Sequence, residues 1–151
     1  MIRSWTCDGG AALFLYEEND AADLPQGWQS LIAPAERARA AKMGSPARAR
    51  TFLRARALLR KKLGDMLAMP PADVGIELTP EGKPVLAGHS LAFSLSHSRG
   101  LILVGILEAG GALGVDLEHM DPATDIGKIA RRLFTDEERA KIGAAPAAAR
   151  R

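Results

Sequence analysis

The sequence predicts an α+β chain, one long helix followed by a run of short strands. Residues 45–68 carry a helical apolar repeat framed by a start and a stop signal. From Val74 to Leu117 the chain instead breaks into short apolar or alternating runs separated by Gly, Pro, His and Ser, the pattern of strands and turns. Helical patterning returns after them.

Leu13-Phe14-Leu15-Tyr16 is a short apolar run and reads as the first strand, and the acidic stretch from Glu17 to Asp23, ending in Pro25, reads as a loop. A short helix is expected from about Pro34 to Met43. Ser45-Pro46 has the form of an N-cap with proline in the first turn, opening a helix to about Ala68 that Pro70-Pro71 stops. Phe52, Leu59, Leu63 and Met66 recur at helical spacing and define its buried stripe. Val74 to Leu78, Leu91 to Leu95, Leu101 to Leu107 and Ala112 to Leu117 are the strands that follow, and the nearly all-apolar Leu101 to Leu107 is expected at the sheet's centre. A helix from about Asp125 to Leu133 and a second starting at Thr135 come last, the latter with a Thr-x-x-Glu capping box. The tail from Gly143 to Arg151 is low in complexity and expected to be loose.

At 151 residues, 47% hydrophobic and 25% charged, the chain can bury one compact core, or one core and part of a second. No run approaches the ~20 apolar residues of a membrane span, and the N-terminus has no basic-then-apolar leader, so a soluble, cytoplasmic protein is expected. A single cysteine, Cys7, excludes an internal disulfide and a cysteine zinc site, and is expected to be a small, partly buried hydrophobe. The net charge of +2 conceals a strong asymmetry: between Arg37 and Lys62 lie ten basic residues and no acidic one. Such a block suits a polyanionic partner or a solvated helix face. Aromatic content of 5% and the lack of a recognition motif speak against nucleic acid.

Several residues could carry chemistry. Arg56 lies about 40° from Phe52 around the long helix, inside the apolar stripe, where a guanidinium needs an anion: a ligand phosphate, an internal carboxylate, or the surface reached by snorkelling. In Gly114-Val115-Asp116-Leu117-Glu118, Asp116 and Glu118 share one face of an expected strand. Two such carboxylates suit magnesium, or are simply hydrated. Phe93-Ser94-Leu95-Ser96-His97-Ser98-Arg99-Gly100 is a strand running into a polar turn, and its hydroxyls and imidazole could cradle a phosphate. Lys83, in the turn Gly82-Lys83-Pro84, can project toward an anion or stand as a solvated turn lysine. His89 and His119 have no partner at metal-ligand spacing and read as surface residues.

The order of these elements resembles a known family. Phe-Leu-Arg-Ala-Arg-Ala-Leu-Leu-Arg (52 to 60), Gly-Lys-Pro (82 to 84), Phe-Ser-Leu-Ser-His-Ser (93 to 98), Gly-Val-Asp-Leu-Glu (114 to 118) and Phe-Thr-Asp-Glu-Glu (134 to 138) look like the surfactin-synthetase-activating, two-lobed type of 4'-phosphopantetheinyl transferase. The resemblance implies an α+β fold of two similar, pseudo-symmetric lobes with coenzyme A between them, the complete lobe a short mixed or antiparallel sheet packed on the long helix. Residues 1–111 would form the first lobe, 112–142 the start of the second with its metal-binding strand, and 143–151 a flexible tail. It implies phosphate contacts from Arg56, Lys83, Ser96 and His97, and magnesium on Asp116 and Glu118, which would also be the catalytic residues. The reaction implied is transfer of phosphopantetheine from coenzyme A to a serine of an apo acyl or peptidyl carrier protein. The family continues into a Trp-x-x-Lys-Glu element that this sequence does not contain. A fragment, half of a split protein that self-associates through its incomplete second lobe, and a non-catalytic coenzyme A or carrier-binding relative are the expectations that follow.

Overall fold

The computed structural model describes residues 1–18, 23–108, 111–119 and 126–144. The chain divides into two units, Met1–Leu117 and Glu118–Arg151. The first holds β1 (Ile2–Thr6), β2 (Ala11–Glu17), α1 (Pro34–Ala41), α2 (Pro46–Leu67), β3 (Ile76–Leu78), β4 (Pro84–Leu86), β5 (Ala92–Ser98) and β6 (Leu101–Leu107). The second holds α3 (Ile126–Leu133) and α4 (Asp136–Ala144). The fold is α+β, as the sequence predicts, and both sheets are antiparallel.

α2 begins where its cap requires. The Ser45 hydroxyl accepts the Arg48 N–H at 3.4 Å, and Pro46 occupies the first turn, where no N–H is needed. The helix ends on Ala68, whose left-handed backbone (φ 52°) turns the chain back so that the Met69 N–H reaches the Gly64 carbonyl at 3.0 Å. Between these ends Leu58, Leu59 and Leu63 are wholly buried, and Phe52 and Met66 form the half-buried margins of the stripe.

The larger sheet runs β1-β2-β6-β5. β6 is an interior strand, which is why its sequence is nearly all apolar: Ile102, Val104 and Ile106 have no exposed surface and share a core with Tyr16, Phe93 and the buried leucines of α2. β5 and β6 are joined by Arg99 (φ 42°) and Gly100 (φ 80°), a two-residue turn with both positions in the left-handed region. The remaining pair, β3 and β4, forms its own small sheet.

The structure departs from the sequence reading in four places. Residues 112–117 form no β ladder, because the Val115 and Leu117 N–H groups are taken by serine side chains in place of a neighbouring strand. β1 and β4 were not anticipated. Cys7 is exposed in the β1–β2 turn, contrary to the partly buried site expected of it. The expected loose tail starts at Gly143, but Gly143 and Ala144 are the last residues of α4; its remainder from 145 onward and the helix start at Asp125 lie outside the described residues.

In the second unit, α4 opens on the predicted capping box. The Thr135 N–H and hydroxyl donate to Glu138 Oε2 at 2.8 and 2.9 Å, and the Glu138 N–H returns to the Thr135 oxygen at 3.3 Å. Among the described residues, no helix is long and apolar enough to cross a membrane.

Candidate functional site

The basic block contributes a guanidinium cluster organised by one carboxylate. Glu36, in the first turn of α1, accepts the Ala33 N–H at 3.0 Å and so covers an orphan donor at the helix start. The same carboxylate takes Arg60 Nη1 at 2.7 and 3.0 Å and stands 3.6 Å from Arg56 Nε. Arg56 is 6% exposed, and its Nη1 is buried without a hydrogen-bond partner. An orphaned donor on a buried cation is costly, so the site has one more place for an acceptor than Glu36 supplies.

That place borders a pocket open to solvent and lined by Glu36, Arg39, Phe52, Arg56, Ile76 and Leu78. The Phe52 ring carries two guanidinium carbons over it, Arg39 at 5.3 Å and Arg56 at 5.2 Å. Burial pulls the Arg56 guanidinium below its ordinary value, Glu36 opposes the shift, and Arg39 and Arg60 add to it. Three arginines around one glutamate leave the pocket positive, and Ile76 and Leu78 give it an apolar wall. It can hold an anion with an apolar or flat portion beside it.

The internal carboxylate, one of the sequence readings of Arg56, is thus present in Glu36. Lys83 is exposed in the turn joining β3 to β4, its N–H on Thr79 Oγ1 at 3.2 Å. β3 supplies the pocket's Ile76 and Leu78, so Lys83 sits on the hairpin that walls the Arg56 site.

Ser96 and His97 separate because neighbours on a strand face opposite ways. His97 pairs in register with Ile102 on the α2 side of the sheet and is exposed at the strand's end. Ser96 faces the other side, where its hydroxyl donates to Asp116 Oδ1 at 3.0 Å and accepts the Leu117 N–H at 3.0 Å. Asp116 and Glu118 are both exposed while Leu113, Val115 and Leu117 are half-buried, so the alternation read from the sequence holds without a strand. Asp116 lies in the first unit and Glu118 opens the second. Among the described residues no group of three or more His, Cys, Asp or Glu side chains converges on one point.

Sequence reasoning missed Glu36, Arg39 and Phe52 as members of the site. Glu36 carried a usable signal: it stands at the third position of a helix opening on Pro34, immediately before an acid-free basic block.

A guanidinium pocket bordered by an unpartnered Arg56 Nη1 lies by α1 and α2, and the Asp116 carboxylate is held by Ser96 on the other face of the sheet. No protein-family model matches the chain. It is 36% identical over 107 residues to the 4'-phosphopantetheinyl transferase HetI of Nostoc sp., a match covering 68% of this chain and 45% of that protein. It is 34% identical over 118 residues to slr0495 of Synechocystis sp., provisionally described as a 4'-phosphopantetheinyl transferase, covering 76% of this chain and 48% of that protein. The chain belongs to the 4'-phosphopantetheinyl transferase superfamily, and it spans about half the length of these curated relatives.

Proposed function

We propose that this chain binds coenzyme A and transfers its phosphopantetheine as a two-lobed transferase of the surfactin-synthetase-activating type, acting in the cytoplasm on an apo acyl or peptidyl carrier protein. In this reading residues 1–111 are the first lobe and 112–142 begin a pseudo-symmetric second. The observation that carries it is Arg56, a buried cation with an unpartnered Nη1 on an open positive pocket. Pyrophosphate and phosphate oxygens are suitable acceptors for it.

Arg56 and Arg39 bind a phosphate group of coenzyme A, Lys83 closes on it from the β3–β4 turn, and His97 approaches from the end of β5. The carrier serine Oγ forms a bond to the phosphorus on the pantetheine side while the bond from that phosphorus to the bridging pyrophosphate oxygen breaks. The serine proton is lost, the holo-carrier keeps the phosphodiester, and 3',5'-ADP leaves with the bridging oxygen. Asp116 and Glu118 are hard oxygen donors that fit magnesium, which when bound would supply charge neutralisation on the pyrophosphate. Cations fixed in advance around the phosphates, more than any covalent participation, are what this chemistry needs from the protein.

The test is intact-mass analysis of an apo carrier protein incubated with the chain, coenzyme A and magnesium. A gain of one phosphopantetheine is the expected result. Coenzyme A binding with no gain would replace this reading with that of a binding module, and neither binding nor gain would overturn both.

A further inference from the structure

The larger sheet has a second face, opposite α2, and the chain returns to it after β6. Leu113 and Val115 turn inward there, beside Leu13 and Gly105, and Leu117 is likewise half-buried. What holds this return is not a backbone ladder. Ser94 Oγ accepts the Val115 N–H at 3.1 Å and Ser96 Oγ accepts the Leu117 N–H at 3.0 Å. The two hydroxyls sit two residues apart on β5 and the two N–H groups sit two residues apart on the returning segment, so the rungs share one period and the segment runs parallel to β5.

Gly105 completes the seat. It pairs directly with Ser94 across the β5–β6 ladder. A Cβ placed on it would stand 2.6 Å from Val115 Cγ1 and 3.1 Å from side-chain carbons of Leu113 and Leu13. The missing side chain is the notch into which Val115 fits. With Val115 and Leu117 pinned inward, Asp116 between them must point outward, and the Ser96 hydroxyl fixes its rotation by donating to Oδ1 at 3.0 Å.

We infer that Ser94, Ser96 and Gly105 are positioning residues that seat the 113–117 segment and aim the Asp116 carboxylate. A serine has one O–H to give. In this arrangement Ser96 spends it on Asp116, so it acts through the carboxylate and not as a direct phosphate contact. The inference rests on the transferase reading in one respect: it takes Asp116 as a ligand for a divalent cation.

Binding of Mn²⁺ to the chain with coenzyme A present, followed by electron paramagnetic resonance, tests it without turnover. Ser96→Ala is expected to weaken Mn²⁺ binding about tenfold to a hundredfold, the range for loss of a partner that orients a metal ligand. Metal-free coenzyme A binding should be unchanged, and Ser96→Thr should restore the metal. Ser94→Ala and Gly105→Ala should weaken Mn²⁺ binding too, although neither residue touches the carboxylate. Should Gly105→Ala not fold, Ser94→Ala carries the same test. Wild-type Mn²⁺ affinity in Ser96→Ala, with loss of metal-free coenzyme A binding, would make Ser96 a phosphate contact and overturn the inference alone. Wild-type protein that binds no Mn²⁺ beside coenzyme A would overturn the inference together with the metal role given to Asp116.

Discussion

Glu36 does three jobs with two oxygens: it covers the start of α1, pairs Arg60 and stands beside Arg56. Glu36→Ala would leave two buried guanidiniums with no carboxylate, and should cost about 3–5 kcal/mol in urea denaturation, the usual penalty for breaking a buried pair from one side. Arg56→Ala removes a cation from a cluster that already holds an excess of them. It should destabilise less than Glu36→Ala while weakening coenzyme A binding in calorimetry. Equal destabilisation by both, with affinity unchanged, would make Arg56 a structural partner only. The sequence exposed Arg56 as a charge on an apolar stripe, because periodicity reports which face a residue occupies. For Glu36 the sequence offered only its place ahead of the basic block, because its partners Arg56 and Arg60 stand on the next helix and are brought in by the packing of α1 on α2.

At the scale of elements, the two ends of the helices make opposite demands. Ala68 holds a left-handed backbone that a Cβ disfavours, so Ala68→Gly should stabilise α2 by about 1 kcal/mol, seen as a higher melting temperature. One turn earlier Gly64 is packed so closely that a Cβ would stand 2.9 Å from the Met69 carbonyl oxygen, and Gly64→Ala should lower the melting temperature. At α4, hydrogen bonds from the Thr135 backbone and hydroxyl hold the Glu138 carboxyl below its ordinary value of 4.5. A depressed folded value means the cap's contribution is present above 4.5 and is lost as pH falls through the lowered value, so the first turn of α4 should fray on acidification. Nuclear magnetic resonance shifts across Thr135–Arg139 would report it, and Glu138→Gln should flatten the response. Caps and apolar periods made α2, α4 and β6 legible because those signals are local. β1 reads Ile-Arg-Ser-Trp-Thr with every residue exposed, and β4 is three residues opening on proline, so neither presents an alternating face to read. Residues 112–117 misled for the converse reason: their alternation is that of a strand, but the acceptors for their N–H groups are serines twenty-one positions away.

Across the whole molecule, the ten-cation block between Arg37 and Lys62 is divided by folding. Arg54, Arg56 and Arg60 go inside, met by Glu18 and Glu36, while Arg37, Arg39, Lys42 and Arg48 remain at the surface. The exposed part of the block is therefore smaller than the sequence alone suggests, yet no acidic residue interrupts it. Coenzyme A association in stopped flow should slow at least about tenfold as salt rises from 0.01 to 0.15 M and the screening length contracts from about 30 to about 8 Å. An association rate indifferent to salt would deny the exposed arginines any part in capture. The serine-pinned return after β6 gives the molecule a second, independent property. Because its Val115 and Leu117 amides hang on side-chain hydroxyls, it can lift from the sheet without breaking a rung of the β5–β6 ladder, so it constitutes an opening unit of its own. Those two amide protons should trade with deuterium far sooner than those of Val104 and Ile106. Any solute that engages Asp116 only in the seated state must slow that exchange in proportion to its occupancy, which turns two backbone protons into a gauge of how much of the time the carboxylate is aimed.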